Sequence, residues 1–172
     1  VTGATALTIA TDAVDIAMLS ATGTADATTF LRGDNAWAAA GGDNTPAFQA
    51  YRGTDQTLVV DTNDLVEWDT ETFDTDGAYD NTTNYRFTPQ TAGKYYVYCN
   101  AICYSPTSND VDQARVNINL NGTTDVAQAW FDPHDSYPFN KCPISISTIV
   151  DMNGSSDYLI VKVLISTVSG VA

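Results

Sequence analysis

Two groups of residues in this sequence are of types that could do chemistry. Asp74, Asp76 and Asp80, with Asn81 beside them, concentrate hard oxygen donors in one short stretch, and calcium takes about six to eight oxygens. The spacing departs from an EF-hand loop, because Ala78 stands where a ligand is required and Gly77 is out of register. A solvated acidic turn is the plainer reading of the same residues. The second group is the run from Trp130 to Phe139, WFDPHDSYPF, the longest non-periodic stretch in the second part of the chain. Two prolines stiffen it, and exposed aromatic rings with Asp and His suit stacking on, and hydrogen bonding to, carbohydrate. Trp130, Phe131, His134 and Tyr137 are the receptor-contact candidates. The alternative is that Trp130, Phe131 and Phe139 pack on a core or across a subunit seam.

Covalent catalysis requires a nucleophile with a base, and glycoside hydrolysis requires paired carboxylates in different environments. No Gly-x-Ser-x-Gly, phosphate-binding loop or His-containing dyad is present, and Asp pairs are too common in turns to mark a site. The expectation is a protein that is not an enzyme and needs no cofactor, calcium being the one ion considered. Three cysteines, Cys99, Cys103 and Cys142, do not form an even disulfide set. Cys99 and Cys103 lie four residues apart in one predicted strand, roughly 13 Å by strand rise, and cannot pair with each other. They read as small buried hydrophobes, with a bridge from Cys142 to one of them as the alternative. Metal binding by thiols is disfavoured, since His134 is the single imidazole and no C-x-x-C occurs.

At 172 residues the chain suits one domain and a short appendage. Its formal net charge of −14 disfavours nucleic acid and anionic lipid surfaces, both of which need a positive footprint. Nearly all the acids are Asp, which favours turns, while abundant Thr, Val, Ile and Tyr favour strands. Charged residues at 16% leave a surface of Thr, Ser, Asn and Gln, as suits an assembled extracellular or virion protein. No run of 18 apolar residues and no signal-peptide pattern occur, so no membrane-spanning helix is expected and no export signal is read. Val1 in place of Met reads as the start of a fragment.

The elements follow from period and punctuation. Residues 1–19 offer a short alternating stretch and a turn or two of helix capped by Thr11 or Asp12. Val14, Ile16 and Met18 form an apolar set too small to fold alone, which suggests packing on a partner. Gly41 and Gly42 mark a hinge, giving residues 1–44 as an attachment segment and 45–172 as a head. Strands are expected over 47–52, 57–60, 65–68, 85–88, 94–104, 113–120, 125–131, 144–150 and 158–168, with an acidic turn after Trp68. Val116, Ile118 and Leu120 alternate inward, and Asn121-Gly122 and Asn153-Gly154 each read as a hairpin turn. Tyr95, Val97 and Cys99 share one face of their strand. Tyr96, Tyr98 and Tyr104 share the other, and large aromatics there are expected to line an interface between copies. This punctuation predicts an all-β antiparallel sandwich.

Within 68–99 a set of fixed gaps carries a family resemblance. Trp68, Asp74, Tyr79, Phe87, Gly93 and Tyr95 fall on the aromatic and glycine signature of C1q-like domains. Trp68 replaces the usual Phe, one extra residue lies between Tyr79 and Phe87, and Val97 and Cys99 replace two aromatics. Pro46-Ala47-Phe48-Gln49-Ala50-Tyr51 looks like the family's first strand, and Ser156-Asp157-Tyr158-Leu159-Ile160-Val161 like its penultimate one. The resemblance implies a C1q/TNF-type jelly roll assembled as a homotrimer, sometimes with calcium near its axis. The family ends with a further strand, so either that strand is missing here or another segment fills its place.

A second resemblance covers residues 20–38, SATGTADATTFLRGDNAWA, which look like the linker before the binding head of bacteriophage tail fibres. Phe30, Leu31, Arg32, Gly33, Asp34 and Trp37 are its distinctive part. Arg32-Gly33-Asp34 is read as a turn with Gly33 at positive φ rather than as an integrin motif. Together these imply a virion protein, the head of a phage tail or neck fibre, displayed on the outside of the particle and attaching to a host-surface glycan or protein. Phe30, Leu31 and Trp37 join Val14, Ile16 and Met18 as particle-attachment residues. The alternative is a capsid decoration or cement protein.

Overall fold

The computed structural model describes residues 20–39, 45–106, 110–133 and 138–168. The expected helical turn and Val14, Ile16 and Met18 lie outside them. Among the described residues the chain is all β, with antiparallel pairing between strands and no helix. It divides into two compact units, Val1–Asn44 and Thr45–Ala172.

In the first unit, β1 (Thr29–Leu31) pairs with β2 (Trp37–Ala39), setting Phe30 opposite Ala38 and Leu31 opposite Trp37. The stretch read as a linker thus contains a hairpin. Its turn is closed by Arg32 N–H to Ala36 O at 2.9 Å and Asn35 N–H to Arg32 O at 3.0 Å. The left-handed residue is Asn35, at φ 61°, not Gly33. Asn tolerates that conformation by bonding locally, and its Nδ2 donates to Ser20 O at 2.6 Å.

The second unit runs β3 (Phe48–Tyr51), β4 (Asp64–Leu65), β5 (Thr70–Asp74), β6 (Tyr79–Asp80), β7 (Arg86–Phe87), β8 (Gly93–Tyr104), β9 (Val111–Leu120), β10 (Thr124–Phe131), β11 (Lys141–Met152) and β12 (Leu159–Thr167). One sheet has the order β10-β9-β12-β7-β6, with β4 also pairing to β12. β8 and β11 form a separate long ribbon, and β3 pairs with β5. The sheet contributes Val116, Ile118, Leu159, Val163 and Ile165 to the core, and the ribbon contributes Cys99, Cys103, Ile144, Ile146 and Met152. Two stacked β layers sharing one core are consistent with a sandwich. Phe48 stacks on Tyr79 and Phe87, with ring centroids 4.5 and 4.7 Å away, and so ties β3 to the edge of the sheet.

Four expectations change. Residues 57–60 form no strand, because Val59 N–H is taken by the Asp64 carboxylate at 2.6 Å and Asp61 turns the chain at φ 59°. Residues 65–68 keep ladder pairing only at Leu65, with Val66 adding a single bond to Val161 O. The acidic stretch after Trp68 holds β5 and β6 in addition to its turns. Asn153-Gly154 is not a hairpin turn, since β11 pairs with β8 while β12 pairs with β9. The chain crosses between layers there. Asn153 Oδ1 accepts the N–H groups of Ser155, Ser156 and Asp157 at 2.9–3.1 Å and shapes the crossing. Asn121 and Gly122, at φ 57° and 75°, do make the expected primed turn between β9 and β10.

Candidate functional site

Period-2 geometry sends alternate side chains of β8 and β11 to opposite faces, and register places the outward ones in cross-strand pairs. Lys94 faces Asp151, Tyr96 faces Ile149, Tyr98 faces Ser147, Asn100 faces Ser145, Ile102 faces Pro143, and Tyr104 faces Lys141. Four of these are large, apolar and open to solvent: Tyr96 at 70%, Tyr98 at 59%, Ile102 at 64% and Ile149 at 66%. Their neighbours on this face are small or neutral, apart from the Lys94–Asp151 ion pair at one end (2.7 Å) and Lys141 at the other. Large apolar side chains gathered on one exposed strand face of a single chain are unusual for a surface. The Tyr98 hydroxyl is held below the usual tyrosine range by hydrogen bonds with Ser145 and Asn100.

Tyr104 belongs to this face by register but turns its hydroxyl to the Asp55 carboxylate, to which it donates, with Lys141 Nζ 5.1 Å from its ring centre. It therefore stands at the rim of a cleft of about 420 Å³ between β8 and the 52–58 segment. Arg52, Asp55 and Asn100 give that cleft a polar rim, while Trp68, Val66 and Ile165 give it apolar walls. Arg52 is fixed by ion pairs to Asp69 at 2.9 Å and Glu67 at 3.5 Å and by a bond to Glu67 O at 2.9 Å. Gln56 spans Leu65 O and Glu67 N–H at 2.8 and 2.9 Å. The Cys103 thiol in the wall is pushed up to about 12 by burial and stays protonated near neutral pH, a poor nucleophile. A cleft with a polar rim and apolar walls has the character of a small-group site.

The other singled-out residues are dispersed. Trp130 and Phe131 are exposed, but they end strand β10 rather than begin a loop. Arg115 lies 4.7 Å from the Trp130 ring centre, and Phe131 meets Phe139 edge-on at 4.8 Å. Phe139 packs against the core and is pinned by backbone bonds to Val111. His134 and Tyr137 lie outside the described residues. Phe30 and Leu31 are exposed on the first unit's hairpin, and Trp37 is half-buried.

Asp74, Asp76 and Asp80 do not come together as a ligand set; among the described residues no three His, Cys, Asp or Glu side chains are placed to hold a metal. Asp74 accepts the N–H groups of Asp76 and Tyr79. Asp80 accepts those of Thr82, Thr83 and Asn84 plus the Asn84 amide, and these bonds hold its carboxyl far below the usual range. Both shape their turns. Sequence reasoning did not find the cleft, because its lining comes from segments distant in the chain. It also treated β9 as one-sided, whereas Asn117 and Asn119, on the side away from Val116 and Ile118, are 0% and 3% exposed beneath the Asp125 carboxylate.

No protein-family model matches the chain, and no curated protein matches it.

Proposed function

We propose that this chain is the binding head of a virion appendage, a bacteriophage tail or neck fibre, folded as a C1q-like jelly roll and assembled as a homotrimer on the outside of the particle. The observation that carries the reading is the outer face of the β8–β11 ribbon. Tyr96, Tyr98, Ile102 and Ile149 stand solvent-exposed there in the single chain, and a second and third copy would cover them. The aromatic and glycine gaps between Trp68 and Tyr95 support the jelly roll, and the 20–38 stretch supports the fibre context. Phe30, Leu31 and Trp37 serve attachment to the particle. Trp130 and Phe131, with their exposed rings, serve contact with a host-surface glycan or protein. Three copies make weak single contacts sufficient, because the later ones form at high effective concentration.

Sedimentation equilibrium of the isolated chain is the first test, with an expected mass three times the 18.4 kDa of one chain. A well-folded monomer at micromolar concentration ends the trimeric reading. Labelled trimers are next mixed with host cells and with particles lacking the chain. Binding to cells is expected; binding to particles alone, with a gain in their heat resistance, makes the chain a cement protein instead.

A further inference from the structure

The three cysteines sit on the inward face of the β8–β11 ribbon as free thiols, but their positions are not equivalent. Cys103 lies directly opposite Cys142 in the antiparallel ladder. Directly opposed residues have Cα atoms about 4.5–5.5 Å apart, inside the roughly 4.4–6.8 Å window for a disulfide. Cys99 lies opposite Ile146, four residues along β11 from Cys142, or roughly 13 Å by strand rise. Only one of the three possible pairings is thus within reach.

We propose that Cys103 and Cys142 form an intramolecular disulfide across β8 and β11 in an oxidising environment, leaving Cys99 as a free thiol. The reaction with a small disulfide such as oxidised glutathione balances in two steps. One cysteine thiolate attacks a glutathione sulfur, forming a mixed disulfide and expelling glutathione thiolate. The second cysteine thiolate then attacks the protein-bound sulfur, closing the Cys103–Cys142 bond and expelling the second glutathione. Two electrons pass from the protein sulfurs to the oxidant, and the two thiol protons end on the released glutathiones. Burial raises the thiol of Cys103 to about 12 and also raises that of Cys142, so the closed core reacts slowly near neutral pH. The pair sits one residue in from the ends of both strands, at Tyr104 and Lys141, where local opening is easiest, and folding offers a second opportunity. The bond ties the end of the ribbon that carries the exposed face and closes a loop holding β9 and β10.

The test uses the full chain, unfolded with reductant and then refolded in a mixture of reduced and oxidised glutathione. Free thiols are blocked with iodoacetamide before proteolysis and mass spectrometry. The expected result is one cross-linked peptide pair, Cys103 with Cys142, an alkylated Cys99, and a melting temperature about 5–10 °C above that of the reduced protein. Cys99→Ser keeps the cross-link, and Cys142→Ser removes it together with the dependence of melting on oxidant. A cross-link that contains Cys99, a bond between chains, or three alkylated cysteines after refolding overturns the proposal. If Cys142→Ser does not fold, the wild-type peptide map decides alone.

Discussion

Gly154 holds φ +69°, and a β-carbon added there would fall 2.1 Å from the Ala92 nitrogen and 2.5 Å from the Thr91 carbonyl carbon. Backbone cannot yield as a flexible side chain can, so Gly154→Ala combines left-handed strain with a clash. The expected loss is about 3 kcal/mol or more in urea unfolding. Gly77, at φ +61° with open space around it, is the control: Gly77→Ala carries the strain alone, about 1–2 kcal/mol. Asp80 makes a prediction in pH. Its folded-state value is depressed below the ordinary 3.8, chiefly by the backbone N–H groups of Thr83 and Thr82 and then by Asn84, so the unfolded chain binds the proton more readily. Stability from this group is therefore present above about pH 4 and is lost only as pH falls through the depressed folded-state value. Asp80→Ala should be less stable than the wild type at pH 7, and denaturant midpoints of the two should draw together only well below the ordinary carboxylate range. Asp125 is an exposed carboxylate that receives amide N–H groups from the buried Asn117 and Asn119 at 3.3 and 2.8 Å and from Gln128 at 2.6 Å. Asp125→Ala leaves two buried amides short of a partner and should cost about 1–3 kcal/mol by the same measurement.

The ribbon face makes the corresponding prediction for an element. Tyr96 and Ile149 are opposite each other and exposed, so replacing both with Glu costs the folded single chain chiefly the repulsion of two opposed carboxylates, about 1 kcal/mol or less. Between copies the same change would bury four or more charges without partners, so the double variant should sediment as a monomer with its circular dichroism unchanged. A variant that stays trimeric moves the interface to another surface. This ribbon was also the most legible part of the sequence. Tyr95, Val97 and Cys99 alternate with Tyr96, Tyr98 and Asn100 on a period of two, and the structure keeps the first three inward and Tyr96 and Tyr98 outward. Strands without an apolar stripe could not be read in the same way. Thr70–Asp74 is a strand because β3 offers it a ladder, not because its own residues demand one, and its acids match those of a turn. Asn153-Gly154 misled for a related reason: Asn caps a turn equally well whether the next strand stays in its layer or leaves it. Nothing local to Arg52, Asp55, Trp68 and Tyr104 announces a shared cleft, since only the fold brings those three segments together.

For the whole molecule the decisive quantity is the net charge of −14 set against a proposed contact face that is nearly uncharged. Bringing identical acidic chains together raises their mutual repulsion, while the face itself supplies only Lys94, Asp151 and Lys141 as ions, and Lys94 and Asp151 already neutralise each other within one chain. In the proposed trimer, apolar burial would drive association against a long-range field that salt can screen. The Debye length falls from about 30 Å at 0.01 M salt to about 8 Å at 0.15 M, so the repulsion between whole bodies weakens steeply over that range while apolar contact does not. Self-association should tighten as sodium chloride rises from 0.01 to 0.15 M, as read by sedimentation at fixed protein concentration. An interface built on ion pairs between copies would loosen over the same range. That outcome would separate the ribbon face from any surface in which the seven basic side chains bridge to acids of a neighbour.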